Sequence, residues 1–142
     1  MEKIPSFQKN HDTLCTGLHM QTDANGISTF DLRFKKPNAG DYVSPKALHT
    51  IEHLLATVLR NSREKDNIVY FGPMGCRTGF YLLTLRLSYE EVLALLKECI
   101  PVALALEEIP GSKREECGNY LEHDLAGAKE ELKKYLAILE TI

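Results

Sequence analysis

His49-Thr50-Ile51-Glu52-His53 is the stretch of this chain best equipped to do chemistry. On an α-helix, residues four apart stack on one face about 6 Å apart along the axis, so His49 and His53 can grip one metal ion together. Glu52 stands at the edge of that face, within reach of a substrate beside the metal, where a general base is needed. Two ligands do not complete a centre, because a catalytic site usually wants three protein ligands and an open position. Cys76, Cys117, His123, His11 and many carboxylates are candidates for the third, and spacing does not choose among them. A second reactive candidate is Cys76 itself, in the glycine-flanked turn Gly72-Pro73-Met74-Gly75-Cys76-Arg77. Glycines there permit close backbone approach to a ligand. The adjacent Arg77 is expected to favour the Cys76 thiolate, as a nearby cation does.

The elements that must position these residues follow from local pattern. Residues 14–21 and 27–34 read as two strands joined through Asp23-Ala24-Asn25-Gly26, with Asn-Gly supplying the turn. Ser44-Pro45 is an N-cap followed by proline at the first helical position. The helix it opens runs to about Asn61, with Leu48, Ile51, Leu55 and Val58 as its apolar stripe beside the histidine face. Two further strands are expected over 67–71 and 78–87. Ser88 and Glu91 form a capping box ahead of Val92, Leu95, Leu96 and Cys99, and Pro101 predicts a kink or break in that helix. A last helix begins near Asp124, with Leu125, Ala128, Leu132, Tyr135 and Leu139 on one face. Hairpin signals with interspersed helices predict an α+β fold, an antiparallel sheet packed against helices with the metal-binding helix at the core edge.

The whole chain, 142 residues with a net charge of −3, suits one domain spanning 1–142. It has no basic cluster that would neutralise phosphates, which argues against a nucleic-acid partner. No apolar run reaches the ~20 residues of a membrane span, and Met1-Glu2-Lys3-Ile4-Pro5 does not open a signal peptide. Cys15, Cys76, Cys99 and Cys117 are too scattered for a zinc ribbon or a disulfide framework, so reduced thiols and a cytoplasmic location are expected. Cys15 and Cys99 are expected as buried apolar residues, and His19 as an ordinary strand residue.

Several motifs together resemble the S-ribosylhomocysteine lyase family, whose members make the precursor of autoinducer-2. These are His-Thr-Ile-Glu-His-Leu-Leu-Ala at 49–56, Pro-Met-Gly-Cys-Arg-Thr-Gly-Phe-Tyr-Leu at 73–82, and Cys117-Gly118 with His-Asp-Leu-Ala-Gly-Ala-Lys at 123–129. Ser6-Phe7 with His11, and Phe-Asp-Leu-Arg-Phe at 30–34 with Pro37-Asn38, extend the match over nearly the whole chain. The resemblance implies a divalent metal in each subunit, Fe(II) natively and zinc or cobalt in preparations, held by His49, His53 and Cys117. It implies Glu52 and Cys76 as the acid–base pair, and Ser6, His11 and Arg33 in the substrate site. It further implies a homodimer with two active sites at the interface, and cleavage of S-ribosylhomocysteine to homocysteine and 4,5-dihydroxy-2,3-pentanedione. Without the resemblance, a surface ion pair with Asp31 is the lesser alternative for Arg33, and His123 reads as a partner to a ligand or a helix cap. Tyr70-Phe71-Gly72 stands where the family commonly has Asp-Ile-Ser, and Lys35 where many members carry cysteine. The competing readings are a zinc peptidase with the inverted His-x-x-Glu-His motif and a non-catalytic metal-binding module.

Overall fold

Asn25 and Gly26 both adopt left-handed backbone angles, φ 56° and 79°, as a two-residue hairpin turn requires. The strands therefore run right up to them. In the computed structural model, which describes the backbone of residues 1–142 and all side chains except those of Thr22, Asp23 and Ala24, β1 is Gly17–Ala24 and β2 is Ile27–Arg33. Asp23 and Ala24, expected in the turn, pair with Ser28 and Ile27, and a bulge falls between Met20 and Thr22. The first strand thus lies further along the chain than the expected 14–21, because the turn needs only Asn25 and Gly26. Residues 14–16 are left irregular, which exposes Cys15, contrary to the expected burial.

Two more strands, β3 (Ile68–Pro73) and β4 (Gly79–Leu85), complete a four-stranded sheet of order β1-β2-β4-β3 with every pairing antiparallel. The helices are a short α1 (Pro5–Gln8), then α2 (Pro45–Arg60), α3 (Tyr89–Leu104) and α4 (Leu125–Glu140), with a 3-10 turn at Lys65–Asn67. The expected α+β architecture is present. No helix among the described residues is long and apolar enough to cross a membrane.

Strand side chains alternate between faces, and the pairs Phe30↔Leu82 and Leu32↔Phe80 send fully buried side chains into the core. α2 adds Ile51, Leu54, Leu55 and Leu59, and α4 adds Leu132, Leu139 and Tyr135, whose ring stacks on Phe34 at 4.0 Å. Each such aliphatic residue contributes about 1.5–3 kcal/mol through burial. The opposite face of the sheet carries Asp31↔Tyr81 and Arg33↔Gly79. Asp31 and Arg33 are buried as well, so on β2 charged residues occupy the second face.

α3 begins at the predicted capping box, Ser88 with Glu91. It does not break at Pro101 but continues through to Leu104. Proline removes one helical hydrogen bond there, yet Ile100 and Ala103, on either side of it, are fully buried in the core, and that packing keeps the last turn helical. Cys99 is buried as expected, and burial pushes its thiol up to about 11. His19 is a strand residue whose Nε2 lies 2.8 Å from the Cys15 carbonyl.

Leu82→Ala should lower unfolding free energy by about 2–5 kcal/mol, the usual cost of a cavity at a fully buried leucine. Urea denaturation measures it, and a shift well under that range would mean that the sheet–helix interface can collapse around the void.

Candidate active site

α2 buries Ala47, Ile51, Leu54, Leu55 and Val58, and 3.6-residue periodicity then turns His49 and His53 together toward the loop joining α3 to α4. That loop orients both rings. His49 Nδ1 lies 2.7 Å from the Glu122 carbonyl and His53 Nδ1 lies 2.9 Å from the Pro110 carbonyl. A carbonyl only accepts, so each Nδ1 carries the proton and each Nε2 is a bare lone pair. The two Nε2 atoms face each other at 3.1 Å, with Cys117 Sγ 3.5 Å from one and 3.9 Å from the other. Bare lone pairs at that separation repel unless a cation lies among them. The donor set therefore fits a divalent ion, and two imidazoles with a sulfur are ligands for zinc, iron or cobalt alike.

His123 joins this group. Its ligand atom and those of His49, His53 and Cys117 all lie within 4.8 Å of one another, and the four could hold a metal ion. Its hydrogen bonding differs from that of the other two. Thr50, fully buried on α2, accepts from the Asp124 N–H at 2.9 Å, and its hydroxyl lies 2.9 Å from His123 Nδ1. Among the described residues His123 Nδ1 is the one acceptor open to the proton of this enclosed hydroxyl, which leaves the ring proton on Nε2, 3.8 Å from Cys117 Sγ. The ring also stacks on His49 at 4.0 Å with planes only 20° apart, so the in-plane directions of the two do not converge as those of His49 and His53 do. Burial first, then His49 and His53, hold His123 below the usual histidine range, so it is neutral at physiological pH. It does not cap α4; Asp124 does, accepting from the Gly127 N–H at 2.9 Å.

A second group assembles on the outer face of the sheet. Ser6, Phe7, His11, Arg33, Cys76 and Tyr81 line a cavity of about 340 Å³ with the Pro73–Gly75 turn. The short α1 and the segment after it supply Ser6 and His11, a contribution no periodicity announces. Beneath lies a charge network. The Arg33 guanidinium donates to both Asp31 oxygens, at 3.1 and 2.5 Å, and Lys9 Nζ reaches Asp31 at 2.6 Å. The Arg33–Asp31 pair exists, but it is buried, with Arg33 1% and Asp31 0% exposed. Burial and the neighbouring Asp31 push the Tyr81 phenol up, so it remains a neutral hydroxyl.

Cys76 is exposed on the loop between β3 and β4, which is closed by Met74 N–H donating to the Gly79 carbonyl at 3.0 Å. Arg77 takes a left-handed φ of 60°, a costly conformation for a residue with a Cβ. It is held there by Val43, whose N–H donates to the Arg77 carbonyl at 3.0 Å and whose carbonyl accepts from Arg77 Nη1 at 3.2 Å. The Arg77 guanidinium therefore points to Val43 and the Tyr42 ring. The cation near the thiol is Arg33, with Nη1 4.0 Å from Cys76 Sγ. Thr78 stands between the two, 2.7 Å from Arg33 Nη1 and 3.1 Å from Sγ. Neither Thr50 nor Thr78 stood out in the sequence, since a threonine inside a motif carries no signal of its own.

Of the candidate third ligands, Cys117 and His123 join the histidine pair, whereas Cys76 and His11 line the other cavity. None of the four clustered donors lines that cavity, and neither does Glu52, half-buried on α2. The departures from the family pattern have local partners. A Cβ on Gly72 would collide with the Tyr70 ring, so the glycine makes room for the tyrosine. Lys35 is buried, but hydrogen bonds to Glu131 and Asp41 outweigh the burial that disfavours its charge and raise it above the usual lysine value.

The family model described as S-Ribosylhomocysteinase (LuxS) matches residues 4–141. The chain is similar to proteins named S-ribosylhomocysteine lyase from three sources. It is 46% identical to that of Porphyromonas gingivalis, over 96% of this chain and 90% of the relative. For Phocaeicola vulgatus the identity is 45% over 96% and 89%, and for Borreliella afzelii 45% over 100% and 95%. By that name the relatives are carbon–sulfur lyases. The chain belongs to the S-ribosylhomocysteinase family.

Metal-free protein titrated with Co(II) should develop a thiolate-to-cobalt charge-transfer band in the near ultraviolet. Cys117→Ser should abolish the band, and His53→Ala should weaken cobalt binding. A full band in the Cys117→Ser protein would remove that thiol from the centre.

Proposed function

We propose that this chain cleaves the thioether of S-ribosylhomocysteine to homocysteine and 4,5-dihydroxy-2,3-pentanedione, the autoinducer-2 precursor, residues 1–142 acting as one catalytic domain in the cytoplasm. The observation that carries the reading is the convergence of two bare imidazole nitrogens and a cysteine sulfur within one family-matched chain. The ligands are His49, His53 and Cys117, with Fe(II) as the native metal and zinc or cobalt as substitutes. His123, protonated on Nε2, donates toward the Cys117 sulfur. When bound, the metal acts as a Lewis acid that makes the C–H beside a sugar carbonyl acidic enough to remove.

Thiolate leaves readily only from a carbon β to a carbonyl, so the ribose carbonyl must move from C1 to C2 and then to C3 before the bond to C5 breaks. Each move takes a proton from one carbon and returns it to the neighbouring one. Cys76, as thiolate, takes the C2 proton in the first isomerisation and delivers it to C1. Glu52 serves the later transfers and removes the C4 proton in the elimination, as the C4–C5 double bond forms and homocysteine thiolate departs; the enol left behind loses its hydroxyl proton and gains one at C5 to become the dione. Arg33 holds ribose oxygens as negative charge develops on them, while Ser6 and His11 bind the substrate from the N-terminal segment.

Cys76 and the metal ligands belong to separate groups within one chain, which fits a homodimer whose two active sites each draw on both subunits. Phe7, 68% exposed beside the Cys76 cavity, and Leu121, 73% exposed just after Cys117, are apolar residues that a second copy would cover.

Cys76→Ala should abolish homocysteine release, followed by thiol titration, while metal content is unchanged. Mixing inactive Cys76→Ala with inactive His53→Ala tests the shared site. Random exchange of subunits puts an intact cysteine opposite an intact metal centre in half of each heterodimer, so about a quarter of wild-type activity should return. No recovery after verified exchange would place each site within one chain.

A further inference from the structure

The contacts around Thr78 fix the direction of its hydroxyl. A guanidinium has five N–H donors and no acceptor, so at 2.7 Å Arg33 Nη1 donates and Thr78 Oγ1 accepts. Oγ1 has one proton of its own, and Thr78 is 2% exposed, too buried to give that proton to solvent. Among the described residues its partner is Cys76 Sγ at 3.1 Å. The backbone holds this arrangement in place, because the Thr78 carbonyl accepts from the N–H groups of both Phe34 and Lys35 at 2.9 Å. Those residues directly follow Arg33, so the cation and the hydroxyl share one strand end.

We propose that Thr78 is a positioning residue for Cys76. Its hydroxyl accepts from Arg33, donates its only proton to Sγ, and so holds Cys76 as a thiolate facing the cavity. The inference rests on the reading of Cys76 as the base of the first proton transfer. An accepted charge-assisted bond polarises the hydroxyl and strengthens the one it donates. Arg33 itself lies 4.0 Å from Sγ, so its charge favours the thiolate through space, while Thr78 at 3.1 Å supplies the shorter, directional hydrogen bond. Among the described residues, the hydrogen-bond contacts of the thiol are Thr78 and Arg33. Tyr81, Ser6 and His11 line the same cavity, Asp31 and Lys9 lie behind Arg33, and Arg77 faces Val43.

The test is the pH profile of iodoacetamide labelling at Cys76, read by mass spectrometry of the peptide in metal-loaded protein. Thr78→Val keeps the shape and removes the hydroxyl. Its labelling rate near neutral pH should fall roughly tenfold, the scale of a hydrogen bond to a charged group, and the profile should move to higher pH. Thr78→Ser should restore the wild-type profile, which a purely structural role would not require. Thr78→Ala, which adds no methyl contact, serves if the valine protein does not fold. A folded valine or alanine variant with an unchanged profile overturns the proposal. Turnover by Cys76→Ala would overturn the catalytic reading alone, since the labelling profile reports on the Thr78 contact whether or not the thiol is the base.

Discussion

The position of α2 rests on one constraint: a helix has a single stripe to bury. Ile51, Leu54, Leu55 and Leu59 are fully enclosed, and together they hold the rotation of the helix against the sheet, α3 and α4. At 100° per residue, any rotation that exposed this stripe would also swing His49 and His53 away from the loop carbonyls that orient them. The ligand geometry is therefore a by-product of core packing. Thr50 sits at the boundary, enclosed in the core yet directing its hydroxyl to the ring of His123.

The sheet solves a different problem. Its inner face is ordinary, with aromatic and aliphatic pairs across β2 and β4. Its outer face encloses one carboxylate between two cations, Lys9 and Arg33 on Asp31. Removing such charges from water is expensive and is offset only where hydrogen bonds satisfy every group. Here Arg33 engages Asp31 and Thr78, and Lys9 engages Asp31. The arrangement leaves one excess positive charge beneath the cavity that Cys76 lines.

Much of this was legible in the chain. The stripe and cap of α2, the capping box of α3 and the Asn-Gly turn are local signals, and each appears where its chemistry placed it. The His49–His53 pair was legible because helical spacing alone brings the two together. The third donor was not, since Cys117 and His123 reach α2 through a loop whose course depends on tertiary packing. The cation beside the Cys76 sulfur was hidden for a similar reason. Adjacency in sequence favoured Arg77, but its left-handed backbone sends that side chain away, and strand pairing brings Arg33 in its place. The break expected at Pro101 failed because burial on either side of it outweighed one lost hydrogen bond.

Val43 ties the two halves of the chain together. It immediately precedes Ser44, the N-cap of α2, and its backbone is bonded twice to Arg77, the neighbour of Cys76. The loop that carries the thiol and the helix that carries the imidazoles are thus hinged on one residue, itself fully enclosed. The first turn of the histidine helix and the cysteine loop therefore share one anchor, and a substitution that displaced Val43 would disturb both.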